Sequence, residues 1–119
     1  MAMGYNYVAL IGNLGKDPQV GDGGTLRVSF SLAVDRVRTD DSGERREETD
    51  WFTIVAWGRV AEICRDYLSK GSLVLISGRL QARRWQDDKG QWHNITEVIA
   101  REVVMLNTRE QDMSPDENS

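Results

Sequence analysis

Cysteine and histidine are almost missing from this 119-residue chain, which has one of each, Cys64 and His93. A single cysteine permits no internal disulfide and fits a reducing compartment. One thiol and one imidazole cannot supply an ordinary structural zinc site, so neither a metal nor a cofactor is expected. Long apolar runs are absent too, falling far short of the roughly 20 residues that span a membrane. The opening MAMGYNY has no basic stretch followed by an apolar one, so no secretory signal is read and a cytoplasmic location is expected. Nucleotide-binding signatures are missing as well. Gly15-Lys16 is followed by Asp17, and Leu10 stands where a phosphate-binding loop needs glycine. A Ser-His-Asp or Cys-His arrangement would rest on His93 alone. The carboxylates cluster in loops and in the C-terminal residues, where nothing selects a catalytic pair. No enzyme is expected.

What is present is an ordinary balance for one folded domain, 39% hydrophobic and 29% charged. The net charge of −4 argues at first against a nucleic-acid partner, since the phosphate backbone attracts Lys and Arg. Divided along the chain, the charge reads differently. Residues 1–106 hold 14 basic and 15 acidic side chains, while residues 107–119 hold Arg109 against Glu110, Asp112, Asp116 and Glu117. The body is near neutral, and residues 107–119 are expected to form a short, disordered acidic tail. Arg outnumbers Lys twelve to three, and Trp outnumbers Phe four to two.

Alternation dominates the body. Leu26, Val28, Phe30, Leu32 and Val34 fall on every second residue, which marks a half-buried strand. Tyr7–Leu14 reads as a strand before it, ended or bent by Pro18, with Gly21–Gly24 as a turn between. After a polar loop at Thr39–Arg46, Glu47–Trp57 reads as a third strand. The period then changes. Val60, Ile63, Cys64, Tyr67 and Leu68 form one stripe of a helix closed by Gly71 as its C′ residue. Ser72–Gln86, with a bulge or bend at Gly78, and Trp92–Leu106 complete the set across a turn at Asp87–Gly90. Three strands, a helix and two strands suit an all-β, five-stranded Greek-key barrel of the OB-fold type. Another small barrel or an open α+β sheet fits the same pattern.

The chemistry that stands out is Trp interleaved with Arg. Arg79, Gln81, Arg83 and Trp85 share a strand face, and Trp92 is expected beside Trp85 across the hairpin. A flat indole beside guanidinium groups suits unpaired bases, which stack on the ring while Arg meets phosphate. Trp85 and Trp92 sit among polar residues, whereas Trp51 and Trp57 lie among apolar ones and fit a core role equally well. The Arg pattern has a plain alternative, a solvated sheet face laced with cross-strand ion pairs.

These residues closely resemble the bacterial single-stranded DNA-binding proteins from about Tyr7 to Leu106. The matching segments include VALIGNLGKDP (8–18), FSLAVDR (30–36), GERREETDW (43–51), WGRVAE (57–62), YLSKGS (67–72), VLISGRLQARRW (74–85) and TEV (96–98). The resemblance implies an OB-fold at residues 1–106 that binds single-stranded DNA with little sequence preference. It also implies a homotetramer, a nucleoid-associated location and roles in replication, recombination and repair. It raises Trp51, Trp57 and Trp85 as stacking residues, and Arg36, Arg59, Arg79, Arg83 and Arg84 as phosphate contacts. The sequence also departs from the family pattern. Val37 or Arg38 stands where an aromatic is frequent, so one stacking site is missing or replaced by a cation, and Arg38 is expected as a sixth phosphate contact. Phe52 replaces a histidine that packs between subunits, Trp92 replaces a polar residue, and Asn94 replaces an aromatic. Replication and repair proteins dock on a terminal Pro-Phe in the family, and SPDENS (114–119) is acidic without it. Two other readings fit the same fold, a protein-interaction or primosome accessory module and a specialised paralogue for DNA uptake or recombination.

Overall fold

The computed structural model describes residues 3–21 and 23–107. Its elements run β1 (Val8–Leu14), β2 (Gln19–Gly21), β3 (Arg27–Thr39), β4 (Arg45–Trp57), α1 (Gly58–Tyr67), β5 (Leu73–Gln86) and β6 (Trp92–Met105). The strands pair in the order β1-β5-β6-β4-β3-β2, and an added β1–β3 pairing closes the sheet on itself. β1 and β2 are two pieces of one barrel strand, interrupted around Pro18, and both pair with β3. The result is the expected five-stranded closed barrel with one helix between β4 and β5. The acidic residues 108–119 lie outside the described residues. No helix among the described residues is long and apolar enough to cross a membrane.

Alternation builds the core. Val28, Phe30 and Leu32 of β3 turn inward, as do Ile54 and Ala56 of β4, Val74 and Ile76 of β5 and Val98 and Ala100 of β6. Fully burying such a side chain contributes about 1.5–3 kcal/mol. The helix joins the same core through Ala61, Cys64 and Leu68. Its buried stripe is therefore rotated from the predicted one, and Tyr67 is 66% exposed. The helix also ends sooner than expected. Leu68 is already extended at φ −99°, and its N–H closes the last turn on Cys64. Gly71, at φ +91°, sits three residues further on in the turn into β5, where its N–H donates to the Leu14 carbonyl. Cys64 is fully buried, and burial pushes its thiol up to about 11, so it is an inert packing residue as expected.

Two long hairpins, β3–β4 and β5–β6, carry the site, and each turns through the same five-residue pattern. Asp40-Asp41-Ser42-Gly43-Glu44 and Asp87-Asp88-Lys89-Gly90-Gln91 both open on Asp and place Gly fourth. In each, the first residue's N–H donates to the fifth carbonyl and the glycine N–H donates back to the first, at 2.9–3.0 Å. The opening Asp also accepts the third and fifth amides through Oδ1, at 2.9–3.0 Å. The glycines take φ +88° and +82°, which other residues resist. The Asp40 carboxylate, held by the Ser42 hydroxyl first and then by Arg46, is depressed to about 2 from the ordinary 3.8. Asp87 is likewise lowered, chiefly by its bond to His93. A depressed carboxylate stabilises the fold above its unfolded pKa and stops doing so as pH falls through the folded one. The Gly43 amide resonance should therefore hold steady below pH 4 and move only near pH 2, and NMR titration checks this.

Candidate nucleic-acid interface

Strand registers decide which side chains share a surface. On the outer face of the barrel Arg27 stands opposite Trp57, Val55 beside Ile99, Ile99 opposite Arg79, and Glu97 opposite Gln81. The same face continues to Arg83 and Trp85 on β5, and to Thr53 and Trp51 on β4. A groove of about 290 Å³ runs along it, lined by Trp57, Arg27, Val55, Gln81, Arg83 and Glu97. Trp51 is 61%, Trp57 47% and Trp85 41% exposed, so none of the three is a core residue. The two alternatives left open by the apolar neighbours of Trp51 and Trp57 are thereby resolved towards the surface. Val55 between them is buried, which is why the stretch looked like core.

Each ring has a defined neighbour. The Arg27 guanidinium lies 5.7 Å from the Trp57 ring centroid, and that of Arg83 lies 5.4 Å from Trp85. Such pairs gain from the ring quadrupole and hold the guanidinium beside the surface on which a base would stack. His93 faces Trp85 across the hairpin with ring centroids 5.1 Å apart and planes at 21°. Its Nε2 also meets Asp87 Oδ2 at 2.7 Å, so the turn fixes His93 and His93 backs one face of Trp85. Trp51 leans on Gly15, where a Cβ would come within 2.6 Å of the ring. Gly15→Ala is expected to displace the Trp51 indole and alter the near-ultraviolet circular dichroism while the far-ultraviolet spectrum stays unchanged.

Trp92 is not beside Trp85. The predicted turn stopped at Gly90, which would have paired Gln86 with Gln91 and set Trp85 against Trp92. The actual turn includes Gln91, so Gln86 faces Trp92 and Trp85 faces His93. A one-residue change of register turns every side chain to the other face. Trp92, 58% exposed, therefore lies on the reverse of the hairpin, with the Arg84 guanidinium 4.7 Å from its centroid.

The six predicted phosphate contacts divide in the same way. Arg36 bonds Glu48 at 2.7 Å and Asp50 at 2.9 Å, and Arg38 bonds Glu48 at 3.2 Å. Both belong to the β3–β4 face opposite Trp51, and they match the plain alternative of a solvated face laced with ion pairs. β3 and β4 also run one and two residues into the predicted polar loop of Thr39–Arg46. Arg59 meets Glu62 at 3.2 Å across one helical turn. Arg83 meets Glu97, whose carboxylate side chain is 5% exposed. Arg79 and Arg84 have no carboxylate partner among the described residues. Arg27 was not singled out from the sequence. The signal was available in the hairpin, because pairing Thr39 with Arg45 across the loop carries through to Arg27 opposite Trp57.

Residues 5–106 match the model of the single-strand binding protein family. The chain belongs to that family. Two curated relatives from Chlorobaculum tepidum are similar to this member over most of its length. Single-stranded DNA-binding protein 1 is 44% identical, covering 92% of this chain and 70% of its own. Single-stranded DNA-binding protein 2 is 40% identical, covering 94% and 78%. A solved structure of Plasmodium falciparum SSB in complex with ssDNA superposes with a TM-score of 0.83 at 30% identity, over 90% of this chain and 99% of that one.

Proposed function

We propose that this family member binds single-stranded DNA with little regard to sequence, through residues 1–106 as one binding unit. The observation that carries the reading is the outer face on which Trp51, Trp57 and Trp85 are all exposed, with Arg27 and Arg83 beside two of the rings. A base stacks on an indole only if its own face is free, which a duplex denies it. Every base has such a face, so the contact is tolerant of sequence. Each fold would cover roughly 4–16 nucleotides.

The cations play unequal parts. Arg79 can meet phosphate directly on this face, whereas Arg36, Arg38, Arg59 and Arg83 must exchange a carboxylate for it. An exposed ion pair is worth only about 0–1 kcal/mol, so that exchange is cheap for the exposed pairs. For Arg83 the cost is greater, because Glu97 would be left buried without its partner. The role that follows is to cover unpaired strands in replication, recombination and repair, by binding and without chemistry.

Assembly as a homotetramer belongs to the same proposal. Tyr7 and Ile11 of the N-terminal strand region are 60% and 54% exposed, apolar area that a neighbouring copy would cover. Light scattering should then give four times the chain mass. The function itself is tested by competition. A labelled oligo-dT should be displaced by unlabelled single strands of any composition and not by duplex at equal nucleotide concentration. Equal displacement by duplex would contradict the reading.

A further inference from the structure

The β5–β6 hairpin projects beyond the barrel with both faces in solvent, and the surface described above uses only one of them. From Arg79 to Gln86 every β5 residue except Gln81 is exposed, and the facing β6 residues Trp92, Asn94 and Thr96 are exposed as well. The reverse face carries its own Arg–Trp pair, Arg84 over Trp92 at 4.7 Å, the closest of the three such pairs described. Around it stand Ala82, Gln86, Asn94 and Thr96, with no carboxylate among them. This differs from the outer face, where Arg83 is tied to Glu97.

We infer that Trp92 and Arg84 form a second stacking subsite, which takes a separate segment of single-stranded nucleic acid on the reverse of the arm. The inference rests on the single-strand reading above and extends it. The occupant follows from the chemistry of the face. A cation without an anion attracts phosphate, the indole offers a stacking surface, and the amides of Gln86 and Asn94 can both donate to and accept from base edges. A second copy of the chain would need a broad apolar patch, and the neighbours here are small or polar. Because the two faces of a two-stranded ribbon point in opposite directions, one short strand segment cannot reach both. The arm would be clasped between two segments of a longer strand.

The test uses the full chain and two oligomers of dT, one of about 8 nucleotides, within the range that a single fold covers, and one of about 30, beyond it. Trp92→Ala should leave the affinity for the short oligomer within about twofold and weaken the long one about 5- to 150-fold, the span of one stacked base. Trp92→Phe should restore the long-strand affinity. Arg84→Gln should lower the salt slope by about one for the long oligomer only. Equal loss on both oligomers would show one continuous site and overturn the inference. So would no loss on either, including the case in which Trp92→Ala changes only the mass seen by light scattering, which would assign the face to a second copy. If Trp57→Ala weakens the short oligomer while Trp92→Ala changes nothing, the main reading stands and this one falls. If the unmodified chain binds neither oligomer, the main reading falls.

Discussion

Gly78→Ala is expected to destabilise the barrel by about 3 kcal/mol, at the upper end of what overpacking costs. A Cβ at this position would run into the Ile99 carbonyl oxygen, come to 2.9 Å from the Ile99 carbonyl carbon and 3.2 Å from the Ala100 Cα. All three are backbone atoms, so no side chain can swing aside to make room. The close approach has a cause. Ser77 pairs with Glu102 and Gly78 with Ala100, which leaves Arg101 as the extra residue of a bulge on β6. The bulge bends β6 over β5 where the sheet curls to close, and the bare backbone of Gly78 lets the two strands approach. For a domain of this size the melting temperature should fall by roughly 10–20 °C. Gly4→Ala, where an added Cβ meets nothing within 4 Å, serves as the control. A melt of Gly78→Ala matching that control would refute the packing account of the bulge.

Replacing Trp57 and Trp85 together with Ala is expected to cost roughly 2–6 kcal/mol of single-strand affinity, or about 30-fold to 10⁴-fold. Trp57 lines the groove at the end of β4, and Trp85 lies on the same face of the β5–β6 arm, two residues beyond the groove-lining Arg83. Both are well exposed, at 47% and 41%, so their removal takes little from the core and the far-ultraviolet spectrum should be preserved. The loss should be of similar size on dT, dC and dA oligomers, because stacking does not read base edges. A loss confined to one base would point to hydrogen-bond readout instead. The single Trp85 variant also frees His93 from its stack while leaving its bond to Asp87 intact. The arm should therefore keep its turn.

Most of the barrel was legible in the sequence, for a physical reason. Val28, Phe30 and Leu32 alternate because one strand face is dry and the other is wet, and hydropathy records that directly. Gly78 announced its bulge because only a bare backbone tolerates the approach of β6. The helix was found, but its stripe was rotated. Tyr67 is amphipathic and apolar in composition, yet the small Ala61 is what fits against the sheet. The three residues of β2 were not foreseen, since so short an edge carries no period.

The site was legible in kind and misjudged in arrangement. Trp51, Trp57 and Trp85 do share a face, but whether Trp92 joins them depended on one residue of turn length. That length was encoded. The two loops repeat Asp-Asp-x-Gly-(Glu/Gln), and Asp bonds to the third and fifth amides in both. With Gln91 inside the turn, Gln86 faces Trp92 and Trp92 falls on the reverse face. The ion pairs of Arg36 and Arg38 also follow from register, because Arg36 faces Glu48 once Thr39 faces Arg45. Residue type alone marks a cation without saying what already neutralises it.

The central claim is that affinity comes from indoles in contact with bases, with a modest share from charge. Intrinsic tryptophan fluorescence titrated with poly(dT) over a range of salt concentrations tests both halves at once. The account predicts strong quenching at saturation that persists at high salt, with the binding constant falling only gently as salt rises. Tight binding without quenching, or binding abolished by moderate salt, would contradict it.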